Sequence, residues 1–234
     1  MKSQSYPDLF RHLAFAAMAL GASLIWADDS ISKDSKAVLN QQISEASVAY
    51  SGMQSKPETS IPDWVVKQAK GVIILNRWSG AAGVGVTGGS GIGMKKKTDG
   101  SFSAPAFYTI GGASVGVQLG GGKTTTVAFL MSDKALNTLN DSKFVWSGNV
   151  KAVAGDQSNQ GSTVNNAADV ILYQQSSGLD VGATVAATQV SVDNESNRKF
   201  YDNVSITPED IFSGKVKAPD SVKVLTDTLN KQAK

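Results

Sequence analysis

Apolar side chains at Leu39, Ile43, Ala46, Tyr50 and Met53 recur at alternating steps of four and three, so the pattern predicts a helix over residues 35–53 with one apolar face. Such a face docks on a core or lies in a membrane interface; few basic residues flank this one, which favours docking. In SIPD (60–63), Ser60 can cap a helix, Pro62 suits its first turn and Asp63 completes a capping-box spacing. A short second helix over 61–70 should stop at Gly71.

Beyond Gly71 the period changes. VIIL (72–75) begins an apolar, Gly-rich region, and AGVGVTGGSGIGM (82–94) alternates Gly with larger residues, a strand period with almost no side chain on one face. A backbone or a helix must come close to that face. KKKTDGS (95–101) reads as a hairpin turn with Asp-Gly at its tip. Residues 105–119 read as a long strand, GGGK (120–123) as a second turn, and TTTVAFLM (124–131) as the antiparallel partner. SDKALNTL (132–139) predicts a short helix capped by Ser132. Strands are expected over 144–154, 168–175 and 180–192, then a single turn in PEDIF (208–212) capped by Thr207. A terminal helix over 219–232 has Val222, Leu225 and Leu229 on one face. No βαβ unit repeats, which predicts an α+β fold: a mainly antiparallel, Gly-rich twisted sheet or partial barrel packed with N-terminal and C-terminal helices.

Residues 1–27 have a different character. Lys2 and Arg11 precede the apolar run LAFAAMALGASLI (13–25), and Ala27 offers a small residue for cleavage, the pattern of a signal peptide ahead of a single domain over 28–234. The run is shorter than the roughly 20 residues that span a bilayer; an uncleaved anchor or a buried helix is the alternative. With no Cys after the run, lipoprotein-type acylation is excluded. Removing Lys2, Arg11 and Asp8 from totals of 22 basic and 20 acidic side chains leaves 20 and 19. A nearly neutral chain lacks the broad basic face that drives nucleic-acid binding, although a local basic patch can persist.

The missing residue types narrow the chemistry further. The chain has no Cys, and its one His, His12, lies in the expected signal peptide. Ser-His-Asp and Cys-His nucleophile systems are therefore excluded from the mature chain, as are the usual zinc, haem and iron–sulfur ligand sets. Carboxylate-only hydrolysis of lipid or glycan survives on paper without a motif. GVQLGGGKTTT (116–126) resembles a P-loop, but Val117 stands where the motif needs glycine, and Gly-Lys-Thr leads into β-branched residues rather than a helix. GVGVTG (83–88) fits a dinucleotide fingerprint but sits inside a strand. Neither supports a nucleotide cofactor.

Taken in order, IPDWVVKQAKGVIIL (61–75), AAGVGVTGGSGIGM (81–94), GSFSAPAFYTIGGASVGVQLGG (100–121), VAFLMSDKAL (127–136), DVILYQQSSGLDVGATV (169–185) and NRKFYDN (197–203) resemble the SYLF family over about residues 35–232. That family includes the lipid-binding domain of a yeast actin-patch protein, of a human phosphoinositide-binding SH3 adaptor and of many exported bacterial proteins. The resemblance implies a compact α+β domain that binds anionic phospholipids, with no catalysis and no cofactor. Actin binding belongs to the yeast branch and is not expected of an exported bacterial protein. One departure is AGDQSNQGS (154–162), where the family has Gly-Pro, so contacts made through that loop are in doubt.

A membrane-surface module needs cations for headgroup phosphate and aromatic groups for the interface. Lys95, Lys96 and Lys97 form the densest local charge, either a lipid contact or a solubilising turn. Lys67, Lys70 and Arg77 flank Trp64 and Trp78, which belong either to the interface or to the core. Lys123 is a further candidate headgroup contact. In NRKFYDN, Phe200 and Tyr201, beside Arg198 and Lys199, read as packing first and ligand second. Gly83, Gly85, Gly112 and Gly116 read as structural. The expected function is non-enzymatic binding of anionic phospholipid on the periplasmic side of a bacterial envelope, and the alternative is an envelope structural or protein-interaction module.

Overall fold

The stripe of residues 35–53 forms α1 (Ile31–Gln54) in the computed structural model, which describes residues 31–56, 60–145, 150–154, 168–178 and 189–233. For 31–35, 79–87, 112–121, 150–154 and 177–178 it describes the backbone alone. Met1–Ser35 groups apart from Lys36–Lys234. Of the first unit only the opening of α1 is described, and every other described element belongs to the second. The signal-peptide residues 1–27 lie outside the described residues, as does the loop over 155–162.

All five residues of the α1 stripe are buried, Ile43 and Tyr50 completely. Each large apolar side chain so buried contributes about 1.5–3 kcal/mol. Their partners are α2 (Asp63–Gln68), one face of the sheet, and α6 (Lys223–Ala233), whose Leu225 and Leu229, with Val222 in the preceding 3-10 turn, are also buried. Helix α2 is shorter than the 61–70 expected. Pro62, not Ser60, is its N-cap, because the chain at Pro62 is still extended (φ −62°, ψ 141°).

Two strands, β1 (Gly71–Lys95) and β2 (Ala106–Leu130), dominate the sheet at 25 residues each. They pair antiparallel from Gly71↔Leu130 to Gly93↔Ala106, with the register shifting between Ala82 and Val84. This corrects the reading of GGGK as a turn and of 124–131 as the partner of 105–119: both belong to one continuous β2, and 122–130 pairs instead with the start of β1 and with β5 (Val170–Gly178). The glycines need no turn because small residues face them across the ladder, Ser79↔Gly122 and Gly80↔Gly121. Gly85 and Gly112 pair with Ser114 and Thr87.

The glycine face of β1 is met by backbone at Gly89, by backbone and the Leu75 side chain at Gly91, and by the Tyr108 ring at Gly93. A Cβ on Gly89 would lie 2.3 Å from the Asn76 carbonyl oxygen, and one on Gly91 would lie 2.8 Å from that of Ile74. The Lys96 amide donates to the Lys70 carbonyl at 2.8 Å. The two ends of β1 therefore lie side by side, and the long hairpin curls the sheet.

Strand β6 (Gln189–Val192) pairs with the first part of β2 and with β3 (Lys143–Phe144). Among the described residues, strand β4 (Val150–Ala154) is the sixth, running parallel to β5 in an otherwise antiparallel sheet. The fold is α+β, as the sequence order predicts. Of the strand expected over 180–192, residues 180–188 lie outside the described residues.

Side chains alternate between two cores. Val72, Ile74, Val127 and Phe129 face α1, while Ile73, Leu75, Ala128 and Leu130 face the opposite layer. That layer contains α3 (Asp133–Asn137), capped by Ser132 as expected, and α5 (Pro208–Phe212), where Thr207 and Asp210 form a capping box. Helix α4 (Asn194–Tyr201) was not expected; its signal is Asp193, whose carboxylate accepts from the Ser196 amide at 2.9 Å.

Candidate functional site: a lysine edge and a polar cleft

Two places gather the sequence-predicted residues. At the first, the end of α2 meets the segment leaving β1. The Lys96 ammonium donates to the carbonyls of Val66 (3.0 Å) and Lys67 (2.7 Å), two of the orphan acceptors that a helix end leaves. Partial burial lowers its pKa, and it sits 6.0 Å from the centre of the Phe102 ring. Lys96 is thus a structural cation.

The same contacts bring the segments that carry Lys67, Lys70, Lys95 and Lys97 to that edge, so two lysine groups separated by some 25 residues of sequence become neighbours, with Lys95 on the opposite face from Lys96 by strand alternation. Lys70 pairs with Asp133 at 2.6 Å, and Lys97 lies 3.8 Å from Asp99. Asp99 accepts from the Ser101 hydroxyl and amide at 2.6 and 2.9 Å, bonds that hold its pKa down, and Gly100 at φ +83° closes the turn. Lys67 is exposed and Lys95 half-buried. Of the five lysines, Lys70 and Lys97 lie against carboxylates and Lys96 against backbone carbonyls. Trp64, on α2, is half-buried against the α1-side core.

Arg77 and Trp78 do not join this edge. They lie six and seven residues into β1, roughly 20 Å along it. There, α1 and the sheet enclose a cleft of about 590 Å³, lined by Ser44, Glu45, Val48 and Ala49 of α1 and by Asn76, Arg77, Trp78, Gly89, Ser90, Lys123, Thr124 and Thr125 of the strands. Trp78 is 51% exposed and pairs directly with Lys123 across the ladder. Gly88 makes room for its indole, since a Cβ there would lie 2.4 Å from a ring carbon.

Strand alternation puts Asn76, Trp78, Lys123 and Thr125 on the face toward α1, and Arg77 and Thr124 on the other. The Thr125 hydroxyl donates to Asn76 Oδ1 at 2.9 Å, and Gln41 Nε2 donates to Glu45 Oε1 at 2.9 Å. Sequence reasoning found Trp78 and Lys123 but missed Glu45, Asn76 and Thr125. The signal was available at Asn76, which falls in the apolar phase of Val72 and Ile74 and breaks it.

Packing accounts for NRKFYDN. Asn197 is fully buried and clamps the backbone of Phe107, accepting from its amide at 2.8 Å and donating to its carbonyl at 3.2 Å. Phe200 meets Phe107 edge-on with ring centres 4.9 Å apart, and the Tyr201 hydroxyl donates to the Pro105 carbonyl at 2.6 Å. Burial raises the Tyr201 pKa above the ordinary tyrosine range. Among the described residues, no group of carboxylates has metal-site geometry, and no helix is long and apolar enough to cross a membrane.

Known proteins resemble this sequence. A family model described as Ysc84, Las17-binding protein actin regulator, matches residues 111–232. Protein YSC84 of Saccharomyces cerevisiae is 30% identical over 179 residues, covering 74% of this chain and 38% of that protein. LAS seventeen-binding protein 3 of the same yeast is 29% identical over 179 residues, covering 74% and 39%. SH3 domain-containing YSC84-like protein 1 of Rattus norvegicus is 30% identical over 178 residues, covering 74% and 52%. The chain thus spans about half or less of the length of these relatives. No solved structure matches. With the family model matching over more than half of its length, the chain belongs to the Ysc84 family, the SYLF proteins that its motifs resemble.

Proposed function

We propose that this protein is a non-enzymatic module that docks on anionic phospholipid, on the periplasmic side of a bacterial envelope after export. The observation that carries the reading is the convergence of Lys67, Lys70, Lys95, Lys96 and Lys97 at one edge. Lys96 ties that edge together, and Lys67, Lys95 and Lys97 supply the charge for headgroups. Each basic residue near an anionic surface contributes about 1 kcal/mol, and the attraction fades as salt shortens the Debye length. The test is flotation of the 28–234 chain with vesicles of phosphatidylglycerol or cardiolipin, against phosphatidylcholine, over a salt series. Binding confined to anionic vesicles and lost with salt is expected; no binding to either kind of vesicle contradicts the reading.

The family description names a protein partner, Las17, and actin regulation. It favours a second reading in which this chain is an envelope protein-interaction module with incidental lipid affinity. An exported chain does not meet actin, so the partner would be another envelope protein. Capture of a defined partner without lipid, unaffected by salt that abolishes flotation, distinguishes this reading from the first.

A further inference from the structure

We infer that the cleft between α1 and the sheet takes a phosphodiester bearing a primary ammonium, the phosphoethanolamine headgroup of a zwitterionic phospholipid. The inference rests on the cleft alone and is independent of the lysine edge. Its lining carries both signs of charge: Lys123 and Arg77 from the strands, of which Lys123 is the one on the face toward α1, and Glu45 from α1. An anion that gains Lys123 there also meets the Glu45 carboxylate, whereas a zwitterion satisfies both.

The remaining groups complete the match. Trp78, half-exposed and opposite Lys123, offers an aromatic face to an ammonium. Asn76, held by Thr125 in a part-buried hydrogen bond, is a polar group fixed in place before a ligand arrives, and Gln41 donates to the exposed Glu45 carboxylate on the facing helix. A primary ammonium donates N–H bonds to Glu45, which a trimethylammonium cannot, and a single tryptophan does not make the aromatic cage that quaternary groups use. The volume of about 590 Å³ lies within the usual range of small-molecule sites.

The experiment titrates the 28–234 chain calorimetrically with glycerophosphoethanolamine, glycerophosphocholine and glycerophosphoglycerol. In parallel it measures flotation with phosphatidylcholine vesicles with and without phosphatidylethanolamine. At least a fivefold preference for ethanolamine is expected in one format or the other. Glu45→Gln should remove that preference, Glu45→Lys should turn it toward the glycerol compound, and Lys123→Gln should weaken all three alike. Preference seen only in vesicles identifies the lipid as ligand. Equal affinity for the soluble compound and the vesicle retains the headgroup chemistry but overturns the lipid. Equal affinities for all three headgroups, a preference that survives Glu45→Gln, or no binding in either format overturns the proposal. The variant with Lys67, Lys95 and Lys97 replaced by Glu should keep its ethanolamine preference while losing anionic vesicles, which separates failure of the cleft from failure of the edge.

Discussion

Near the start of β1, Val72 and Ile74, with Val127 and Phe129 of β2, are fully buried with Ile43 and Tyr50 in one core. Two residues further along the same strands, in the same phase and under the same helix, Asn76 and Trp78 with Thr125 and Lys123 line an open cleft. Geometry is common to the two stretches and side-chain chemistry is not. Alternation decides which face a residue occupies; whether that face seals or binds depends on whether apolar partners continue across it. A helix that stays on the sheet where its floor turns polar is held by the sealed stretch and freed to form a wall at the other.

Phe129→Ala should show the largest effect, about 3–5 kcal/mol lost in chemical denaturation, because a buried ring with 0% exposure leaves a cavity. Replacing Asn76 and Thr125 together by Val, which extends the core pattern into the cleft, should change stability by less than about 1 kcal/mol, since both hydrogen-bond partners are removed together. Comparable losses in the two proteins would erase the distinction. Asn197→Ala comes next, with roughly 1–3 kcal/mol for each Phe107 backbone group left unsatisfied. Denaturation combined with hydrogen exchange at the Phe107 amide checks it.

Gly88→Ala probes the open stretch from the cleft side. The added methyl meets the Trp78 indole at 2.4 Å and displaces this half-exposed ring, so a loss of no more than about 0.5 kcal/mol and a shift in tryptophan emission are expected, the shift being absent when Trp78 is Phe. The smallest effect lies far from both stretches. Hydrogen bonds from Lys215 and Thr207 pull the Asp210 carboxyl down to about 2. Its stabilisation is therefore present above the unfolded carboxylate pKa of about 3.9 and is lost as pH falls toward 2. Thermal melts should show wild type above Asp210→Asn at pH 6 and the gap closing near pH 2.

Periodicity made most of the fold legible. The α1 stripe, the Ser132 and Thr207 caps and the C-terminal face all fell where local pattern placed them, since each is marked by residues a few positions apart, whatever distant element the helix then packs on. The error at GGGK had the opposite origin. A run of glycines next to Lys123 looks like a turn until its partner strand is known to be equally small-sided, and that partner lies some 40 residues earlier. Helix α4 was missed because Asn197 and Phe200 act through Phe107, about 90 residues away.

The same limit applied to the sites. Lys67 and Lys95 read as separate groups because only the curl of β1 joins them. Arg77 and Trp78 read as one cluster because adjacency in sequence hides their placement on opposite faces. Glu45 was invisible on a helix read for its apolar stripe alone.

Docking through the lysine edge is decided by comparing wild type with the variant in which Lys67, Lys95 and Lys97 are replaced by Glu, by flotation with phosphatidylglycerol vesicles at low and physiological salt. Lys96 and Lys70 are left intact to preserve the bonds to α2 and Asp133. Wild type is expected to float at low salt and progressively less as salt rises, while the variant, with an unchanged melting transition, stays with the unbound protein. Flotation of the folded variant equal to that of wild type would contradict docking through this edge.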